Sequence, residues 1–192
     1  MRIVVACLLA ILPGLPIATA AQAASCDGIA FPDQDQVDGT ALTLNGLGLR
    51  EATIFNVSVY VAALYLEHKT SDADQVIRVP EKKRLVLHFV RDVDGDDIAD
   101  AFREGFEKNA GAPIAPLEDR IKQLSAMLTD VKDGQSVAFT VRPGAGLTVE
   151  TQGATKGTIA GDDFAQPFLA IWFGPKPPNK GLKTGLLGGA CG

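Results

Sequence analysis

The longest apolar stretch of the chain predicts a strand that is buried on both faces. From Phe55 to Leu66 the sequence has no charged residue, no glycine and no proline, and it is rich in valine and aromatic side chains. A strand of this length spans roughly 40 Å. One row of alternate residues, ending at Tyr65, is apolar, whereas the other row, beginning at Asn56, is polar at its start. A polar stripe on a buried face is typical of a strand that lines a cavity.

The remaining hydrophobic pattern predicts one α+β domain over residues 24–192. Strands and helices come in separate runs, which favours a large antiparallel sheet with a layer of helices on one face. Residues 26–40 are acidic and rich in turn residues, so we expect at most one short strand there. The pattern predicts further strands at 42–45, 85–90, 137–141, 146–151 and 154–160, and helices that begin near residues 70, 94, 116, 162 and 179.

The first 23 residues are typical of a secretory signal peptide. They contain one arginine, a short apolar run and the small-residue sequence from Ala18 to Ala23. The run is short and contains Pro13 and Pro16, so it does not indicate a membrane-spanning helix. We expect cleavage after Ala23, with cleavage after Ala20 as the alternative, and a periplasmic or secreted mature protein.

Two cysteines remain in the expected mature chain, Cys26 and Cys191, one near each end. Because exported proteins reach an oxidising compartment, we expect these two to form a disulfide bond. Acylation of Cys26, as in a lipoprotein, is the alternative. It normally needs a bulky apolar residue three positions earlier, where this chain has Ala23.

The net charge argues against polyanionic partners. The whole chain has a net charge of −5, and loss of Arg2 with the signal peptide leaves 17 basic against 23 acidic side chains. We therefore expect no nucleic-acid partner and no anionic membrane surface. Beyond the signal peptide no apolar run is long enough to span a membrane, and the oligomeric state stays open.

Arg50 is the candidate binding residue that the sequence pattern singles out. It follows Gly46 and Gly48, at which the backbone can approach another chain or a ligand closely, and it precedes the long apolar strand. A guanidinium in such a place is suited to binding a carboxylate. The alternative is a surface arginine paired with Glu51 or with a carboxylate from a loop.

Other common chemistries find no support in the sequence. His88 lies inside an apolar strand, where a structural histidine is more common than a catalytic base, and we expect His68 to be exposed. These two histidines and scattered carboxylates do not form a metal-ligand pattern, and we expect no metal and no cofactor. The glycines 144 and 146 belong to a predicted hairpin, so they do not form a phosphate-binding loop.

Three separated blocks together resemble the chalcone isomerase-like family, in particular its exported bacterial members. They are GLGLREATIFNVSVYVAALYLE, KRLVLHFVRDVDGDDIADAFREGFEKN and FLAIWFGPKPPNKGLKTGLLG, and the resemblance extends over residues 40–188. It implies an open-faced β-sandwich, in which a cleft lies between a large antiparallel sheet and a layer of helices.

The resemblance also implies which residues line that cleft. Arg50 matches the family's arginine, and Tyr60 lies near a position where fatty-acid-binding members have tyrosine, although the interval from Arg50 is slightly shorter here. Asn109 matches a helix asparagine of the family, but its position is also typical of a helix C-terminal residue. Phe102 stands where the isomerases have a tyrosine, so the hydroxyl that would hold their catalytic water is missing. We expect Tyr65 and Trp172 to belong to the core.

These residues lead to three hypotheses about function. The first is non-catalytic binding of a small amphipathic carboxylate such as a fatty acid, with Arg50 and Tyr60 at the carboxylate and Phe102 along the tail. The second is an isomerase or lyase that acts on an enone, with Arg50 stabilising negative charge on oxygen. The third is a structural or partner-binding protein whose cleft is filled by side chains.

Overall fold

The computed structural model describes residues 23–52 and 57–191, and its main element is a seven-stranded antiparallel sheet. The strands of this sheet are joined in chain order, so that each pairs with its neighbour along the sequence. The strands are β1 (Ala23–Cys26) and β2 (Ile29–Pro32), which form a separate hairpin, and β3 (Gln34–Val37), β4 (Thr40–Ala52), β5 (Val57–Leu66), β6 (Lys83–Phe89), β7 (Ser136–Arg142), β8 (Gly146–Thr151) and β9 (Ala154–Ile159) of the main sheet.

The structure corrects the expectation for residues 26–40, which contain β2 and β3 together with the end of β1 and the start of β4, instead of at most one short strand. Two Asp-Gly pairs make the turns between these strands. Asp27 and Gly28 have φ values of 48° and 78°, and Asp38 and Gly39 have values of 49° and 76°. Positive φ at both central residues is required by type I′ turns, whose twist suits antiparallel hairpins. Each Asp-Gly pair therefore indicates a hairpin, although the acidic, turn-rich composition of the segment by itself indicates a loop.

The central strand β5 is buried on both faces, as its apolar sequence predicts. One face contacts the helices, and the other contacts Cys26 and Phe31 of the β1–β2 hairpin. The helix-facing residues are Tyr60, Ala62, Leu64 and Leu66, and those facing the hairpin are Val61, Ala63 and Tyr65. The first two predicted strand residues, Phe55 and Asn56, lie outside the described part of the chain.

In the described part of the chain, five helices cover one face of the sheet and enclose the larger hydrophobic core. Their buried side chains belong to the same cluster as the helix-facing row of β5. This arrangement confirms the predicted α+β fold. The helices are α1 (Ala73–Arg78), α2 (Gly95–Asn109), α3 (Glu118–Met127), which a short 3₁₀ turn at Ala115–Leu117 precedes, α4 (Asp162–Phe173) and α5 (Lys180–Leu186).

Glycines let α5 lie directly on β4. A Cβ atom added at Gly46 would stand 2.1 Å from the carbonyl oxygen of Gly185, and one added at Gly48 would stand 2.5 Å from that of Leu182. Both distances are far below van der Waals contact, so only glycine permits this approach. The glycines before Arg50 therefore serve helix packing, and they bring α5 against the strand that carries Arg50.

The predicted disulfide bond is present between Cys26 on β1 and Cys191. The two Cα atoms lie 5.8 Å apart, and the bond joins residues separated by 165 positions. This Cα distance lies within the usual range for disulfides. The bond ties the β1–β2 hairpin to the segment that follows α5.

Candidate functional site

A pocket of about 590 Å³ opens between strands β4–β6 and helices α2 and α4. This volume lies in the range of small-molecule sites in proteins. The buried part of its wall is almost entirely apolar and aromatic. The buried residues of the wall are Tyr60, Leu87, Phe89, Ile98, Phe102, Ile171 and Trp172.

Arg50 and Tyr60 are direct neighbours in the wall of this pocket. They are Cα partners across β4 and β5. Cross-strand partners in an antiparallel pair project to the same face, with their Cβ atoms about 5 Å apart. Tyr60 is buried, whereas Arg50 is half-buried. The strand register thus brings a guanidinium and a phenol together in the wall of an apolar pocket.

A β-bulge next to this pair adds a further apolar side chain to the pocket. Arg50 pairs with Tyr60 and Glu51 pairs with Ser58, so that Val59 is left without a partner on β4. A bulge of this kind re-aims the side chains beside it. Val59 packs against the helix-side core and lines the pocket together with Tyr60, although strict alternation would place the two on opposite faces.

The guanidinium of Arg50 has no carboxylate partner among the described residues, since none of their ion pairs includes it. Its Nη1 donates a hydrogen bond to the backbone carbonyl of Glu51. The alternative of an ion pair with the side chain of Glu51 is therefore not what the structure shows. Within residues 23–52 and 57–191, the Glu51 carbonyl is the acceptor that Arg50 contacts, and a guanidinium has five N–H groups to donate.

Tyr60 is held by a hydrogen bond from Trp172. The indole Nε1 of Trp172 donates to the hydroxyl oxygen of Tyr60 over 3.1 Å. Burial raises the pKa of Tyr60 to about 12, against the opposing effects of the Trp172 hydrogen bond and the Arg50 charge. The hydroxyl of Tyr60 is therefore protonated at neutral pH, and it keeps a proton to donate.

Phe102 lies in the pocket wall within an aromatic cluster. Its ring centroid is 5.4 Å from those of Phe139 and Trp172 and 5.9 Å from that of Phe168. The side chain is buried and contacts the pocket, as the prediction for an apolar tail requires. Its phenyl ring supplies shape and apolar surface there, but no hydroxyl.

The structure corrects the expectation for Asn109, which does not lie in the pocket wall. Asn109 is the last residue of α2 and is buried. Its Nδ2 donates to the carbonyls of Gly105 and Lys176, at 3.1 and 2.9 Å, and its Oδ1 accepts from the backbone N–H of Lys176 at 2.8 Å. Both N–H groups of the side-chain amide, and one of the two lone pairs of its oxygen, are used in this way. The expected ligand contact is thus replaced by a structural role, in which Asn109 anchors the segment after α4.

Charged side chains of both signs surround the mouth of the pocket. Lys108 pairs with Glu104, and this hydrogen bond lowers the pKa of Glu104, with a smaller contribution from Arg50. The carboxylate of Asp92 accepts from the backbone of Asp133 and from Lys132, both at 3.0 Å, and its pKa is lowered for these reasons. The lining also contains Arg91, Asp94, Asp97 and Lys176, all of them exposed.

Partial burial distinguishes Arg50 from the other cations of the mouth. Exposed charges are screened by water and salt, so that contacts with exposed cations contribute little to affinity. Half-buried beside Tyr60, Arg50 acts in a lower effective dielectric. It is the cation best placed to bind an anionic head group.

Trp172 is a pocket residue that the sequence did not reveal as one. The helical pattern correctly predicted that it is buried, but its contact with Tyr60 joins positions 112 residues apart. The two histidines lie elsewhere. His88 contacts the hydroxyl of Ser136 at 3.1 Å, and the exposed His68 contacts Glu81.

No metal centre or membrane-spanning helix is found in the described ranges. Residues 23–52 and 57–191 contain no group of three or more metal-ligating side chains. None of the helices within them is both long and apolar enough to cross a bilayer.

The fold and the pocket define an open-faced antiparallel sheet with a cavity between the sheet and its helical layer. The chain belongs to the chalcone isomerase-like family, because the family's sequence model matches residues 23–188. The search of curated proteins found no match.

A solved structure with the same fold is a fatty-acid binding protein of Arabidopsis thaliana, AtFAP1. Its sequence is 16% identical to this chain, and the two structures superpose with a TM-score of 0.72. The match covers 86% of this chain and 96% of the plant protein. At this identity, the likeness establishes the shared fold.

Proposed function

We propose that this protein binds a small amphipathic carboxylate such as a fatty acid, without transforming it. Arg50 and Tyr60 hold the carboxylate, while Phe102 and the neighbouring apolar side chains contact the tail. The observation that carries the proposal is the pairing of Arg50, which has no carboxylate partner among the described residues, with Tyr60 in the wall of a pocket of about 590 Å³.

The apolar wall supports binding of an alkyl chain. Burial of a methylene group contributes about 0.8 kcal/mol, so ten methylenes contribute roughly 8 kcal/mol before the costs of ordering the ligand. A charge-assisted hydrogen bond from Arg50 adds about 1.5–3 kcal/mol. Together these contributions total roughly 10 kcal/mol before those costs, compared with about 8 kcal/mol for a micromolar dissociation constant. The volume left open between the side chains also disagrees with the hypothesis of a filled cleft.

Phe102 is the reason to place binding ahead of catalysis. Proton transfer in an active site needs a group within hydrogen-bonding reach of the reacting atoms. The phenyl ring of Phe102 offers no such group at the position where the isomerases have tyrosine. Turnover of a chalcone well above the spontaneous rate would contradict non-catalytic binding and support the enone isomerase instead.

Export is part of the proposal. We place the mature protein in the periplasm or outside the cell, on the grounds of the signal-peptide pattern in residues 1–23, which lie outside the described residues except for Ala23. N-terminal sequencing of the protein purified from its native host tests this. A first residue of Ala24 or Ala21 is expected, and an intact N-terminus in the cytoplasm would contradict export.

The binding test can use Trp172, the single tryptophan of the chain, as an intrinsic probe. The protein is first examined by native mass spectrometry for co-purifying lipid and is then delipidated. Titration with decanoate should change the tryptophan fluorescence, because Trp172 lies in the pocket wall. In Arg50→Ala, the affinity for decanoate should fall by about 10- to 100-fold, since a charged hydrogen bond is lost.

Arg78→Ala is the matched control. Arg78 is an exposed arginine of α1 outside the pocket lining, so its removal changes the net charge equally without touching the pocket. Its affinity for decanoate should match that of the wild type. If Arg50→Ala bound decanoate as the wild type does, or lost as much folding stability as affinity, Arg50 would be a structural residue and the proposal would be wrong.

A further inference from the structure

We propose that Trp172 is a positioning residue, which makes the head-group end of the pocket a donor-only site and so selects carboxylates over alcohols of the same chain length. This inference rests on the proposed function, because it concerns the same pocket. Trp172 determines the head-group selectivity through its hydrogen bond to Tyr60.

The buried wall of the pocket has very few polar groups. Among its buried residues in the described part of the chain, the only polar side-chain groups are the Tyr60 hydroxyl and the Trp172 N–H. These two groups are bonded to each other over 3.1 Å, with the indole donating. The polar chemistry that the buried wall offers to a ligand is therefore set by this one hydrogen bond.

The direction of that bond determines what Tyr60 can do. A phenol can both donate and accept a hydrogen bond, whereas an indole N–H can only donate. Since Trp172 occupies the hydroxyl oxygen as an acceptor, the remaining capacity of Tyr60 is its proton. Its neighbour Arg50 also only donates. Both groups at this end of the pocket are thus donors.

A donor-only site discriminates between head groups. A carboxylate accepts from both Arg50 and Tyr60 and has no proton of its own to place. An alcohol can accept, but its own O–H finds no free side-chain acceptor among the described residues of the buried wall, and an unsatisfied buried donor is costly. The acidic side chains of the mouth are exposed, and Glu104 among them is already paired with Lys108. They do not replace a buried acceptor.

The test compares decanoic acid with decanol by isothermal titration calorimetry at neutral pH. The wild type should bind the acid more tightly. In Trp172→Phe, the Tyr60 oxygen becomes a free acceptor for the alcohol, and the ratio of acid to alcohol affinity should fall about tenfold. If the role of Trp172 were purely structural, the substitution would lower the affinities for both ligands equally and leave this ratio unchanged.

Phe168→Leu is the matched control for packing. Phe168 contacts Trp172 with ring centroids 5.1 Å apart, but it does not line the pocket. Its truncation should lower stability and leave the acid-to-alcohol ratio as in the wild type. If Trp172→Phe proves too unstable to measure, Tyr60→Phe gives the second test, because it removes the donated proton and should lower the same ratio.

The outcomes separate the two proposals. If the delipidated wild type binds neither ligand, the proposed function fails and this inference fails with it. If the wild type prefers the acid, and the ratio is the same in Trp172→Phe or in Tyr60→Phe, the binding function stands and the role of Trp172 is refuted. A ratio that falls in these variants, and is unchanged in Phe168→Leu, supports the inference.

Discussion

Asn109 shows at the scale of one residue how the type of a side chain leaves its role open. The family resemblance suggested a ligand contact, and its position at the helix end suggested a structural residue. The structure favours the second interpretation, since both N–H groups and the oxygen of the amide are bonded to the backbone of Gly105 and Lys176. Lys176 and the two prolines after it line the pocket, so Asn109 shapes the pocket only indirectly.

Asn109→Ala should lower the free energy of unfolding by about 1–3 kcal/mol, because it removes three side-chain hydrogen bonds to the backbone of Gly105 and Lys176. Urea denaturation followed by circular dichroism measures this change. Gln123→Ala, at an exposed position of α3, is the control and should stay within about 0.5 kcal/mol of the wild type. An unchanged midpoint in Asn109→Ala would show that the amide does not hold the segment after α4.

At the scale of elements, the contact of α5 with β4 sets the geometry beside Arg50. The contact depends on the missing side chains at Gly46, Gly48 and Gly185. Asn179, at the start of α5, donates from its Nδ2 to the carbonyl of Leu49 over 3.1 Å. This hydrogen bond thus fixes β4 to the start of α5 at the residue immediately before Arg50. The short distance between these two elements is therefore a requirement of the site as well as of the fold.

The variant Gly48→Ala tests whether this packing or the intrinsic strand propensity of the residue has the larger effect on stability. Propensity alone predicts a gain of about 0.5–1 kcal/mol, because glycine is unfavourable inside a strand. The new methyl group, however, would overlap the backbone of Leu182, and overpacking typically costs about 1–3 kcal/mol. We therefore expect a net loss of stability, measured by thermal unfolding.

Ala41→Thr, at an exposed position of the same strand, is the control for Gly48→Ala, and it should change stability little. A stabilised Gly48→Ala variant would mean that α5 can move away from β4 without cost. That result would contradict the close contact described above.

At the scale of the whole molecule, the Cys26–Cys191 bond connects the two faces of the sheet. Cys26 belongs to the smaller core, under the β1–β2 hairpin, whereas the segment after α5 follows the helical layer. Chain entropy for so long a loop gives an upper figure of about 5 kcal/mol for the contribution of the bond to stability. This contribution comes mainly from restricting the unfolded chain.

Replacing both cysteines, in Cys26→Ser with Cys191→Ser, should lower the free energy of unfolding by roughly 2–5 kcal/mol. Guanidinium denaturation with and without reductant measures it. Reductant should destabilise the wild type but leave the double variant unchanged. Equal stability of the oxidised wild type and the double variant would show that the bond adds nothing to the fold.

Stability should also decline at alkaline pH because of two buried tyrosines. Burial raises the pKa of Tyr60 to about 12, and it raises the pKa of Tyr65 as well. In the unfolded chain both ionise near pH 10, so stability is constant below that value and falls as the pH rises through the folded pKa. Two pKa units at Tyr60 correspond to about 3 kcal/mol.

Urea unfolding at neutral pH and at about pH 11 should show about half of this loss, because pH 11 lies midway between the unfolded and folded pKa values of Tyr60. Tyr60→Phe should show a smaller alkaline decline than the wild type, because phenylalanine does not ionise. If the decline were identical in the two proteins, Tyr60 would already ionise near its ordinary value in the folded state. Its hydroxyl would then not be as strongly buried as the structure indicates.

Local patterns in the sequence determined most of the secondary structure and one end of the site. Alternation and helical periodicity act over a few residues, so they predicted the strands from β5 onward, the five helices and the burial of Trp172. The three strands between residues 23 and 37 were missed, although the Asp-Gly pairs carried the signal for two turns. The resemblance pointed to Arg50, Tyr60 and Phe102, and the chain ends suggested the disulfide.

Tertiary structure alone decided which side chains meet. The register of β4 against β5 places Arg50 beside Tyr60, and the bulge at Val59 turns an extra side chain into the pocket. The position of α4 on the sheet brings Trp172 into hydrogen-bonding contact with Tyr60. The backbone of Lys176, in the segment after α4, forms hydrogen bonds with the amide of Asn109. These contacts join residues far apart in the chain. They depend on how elements pack and pair, which a local pattern of hydrophobic and polar positions does not specify.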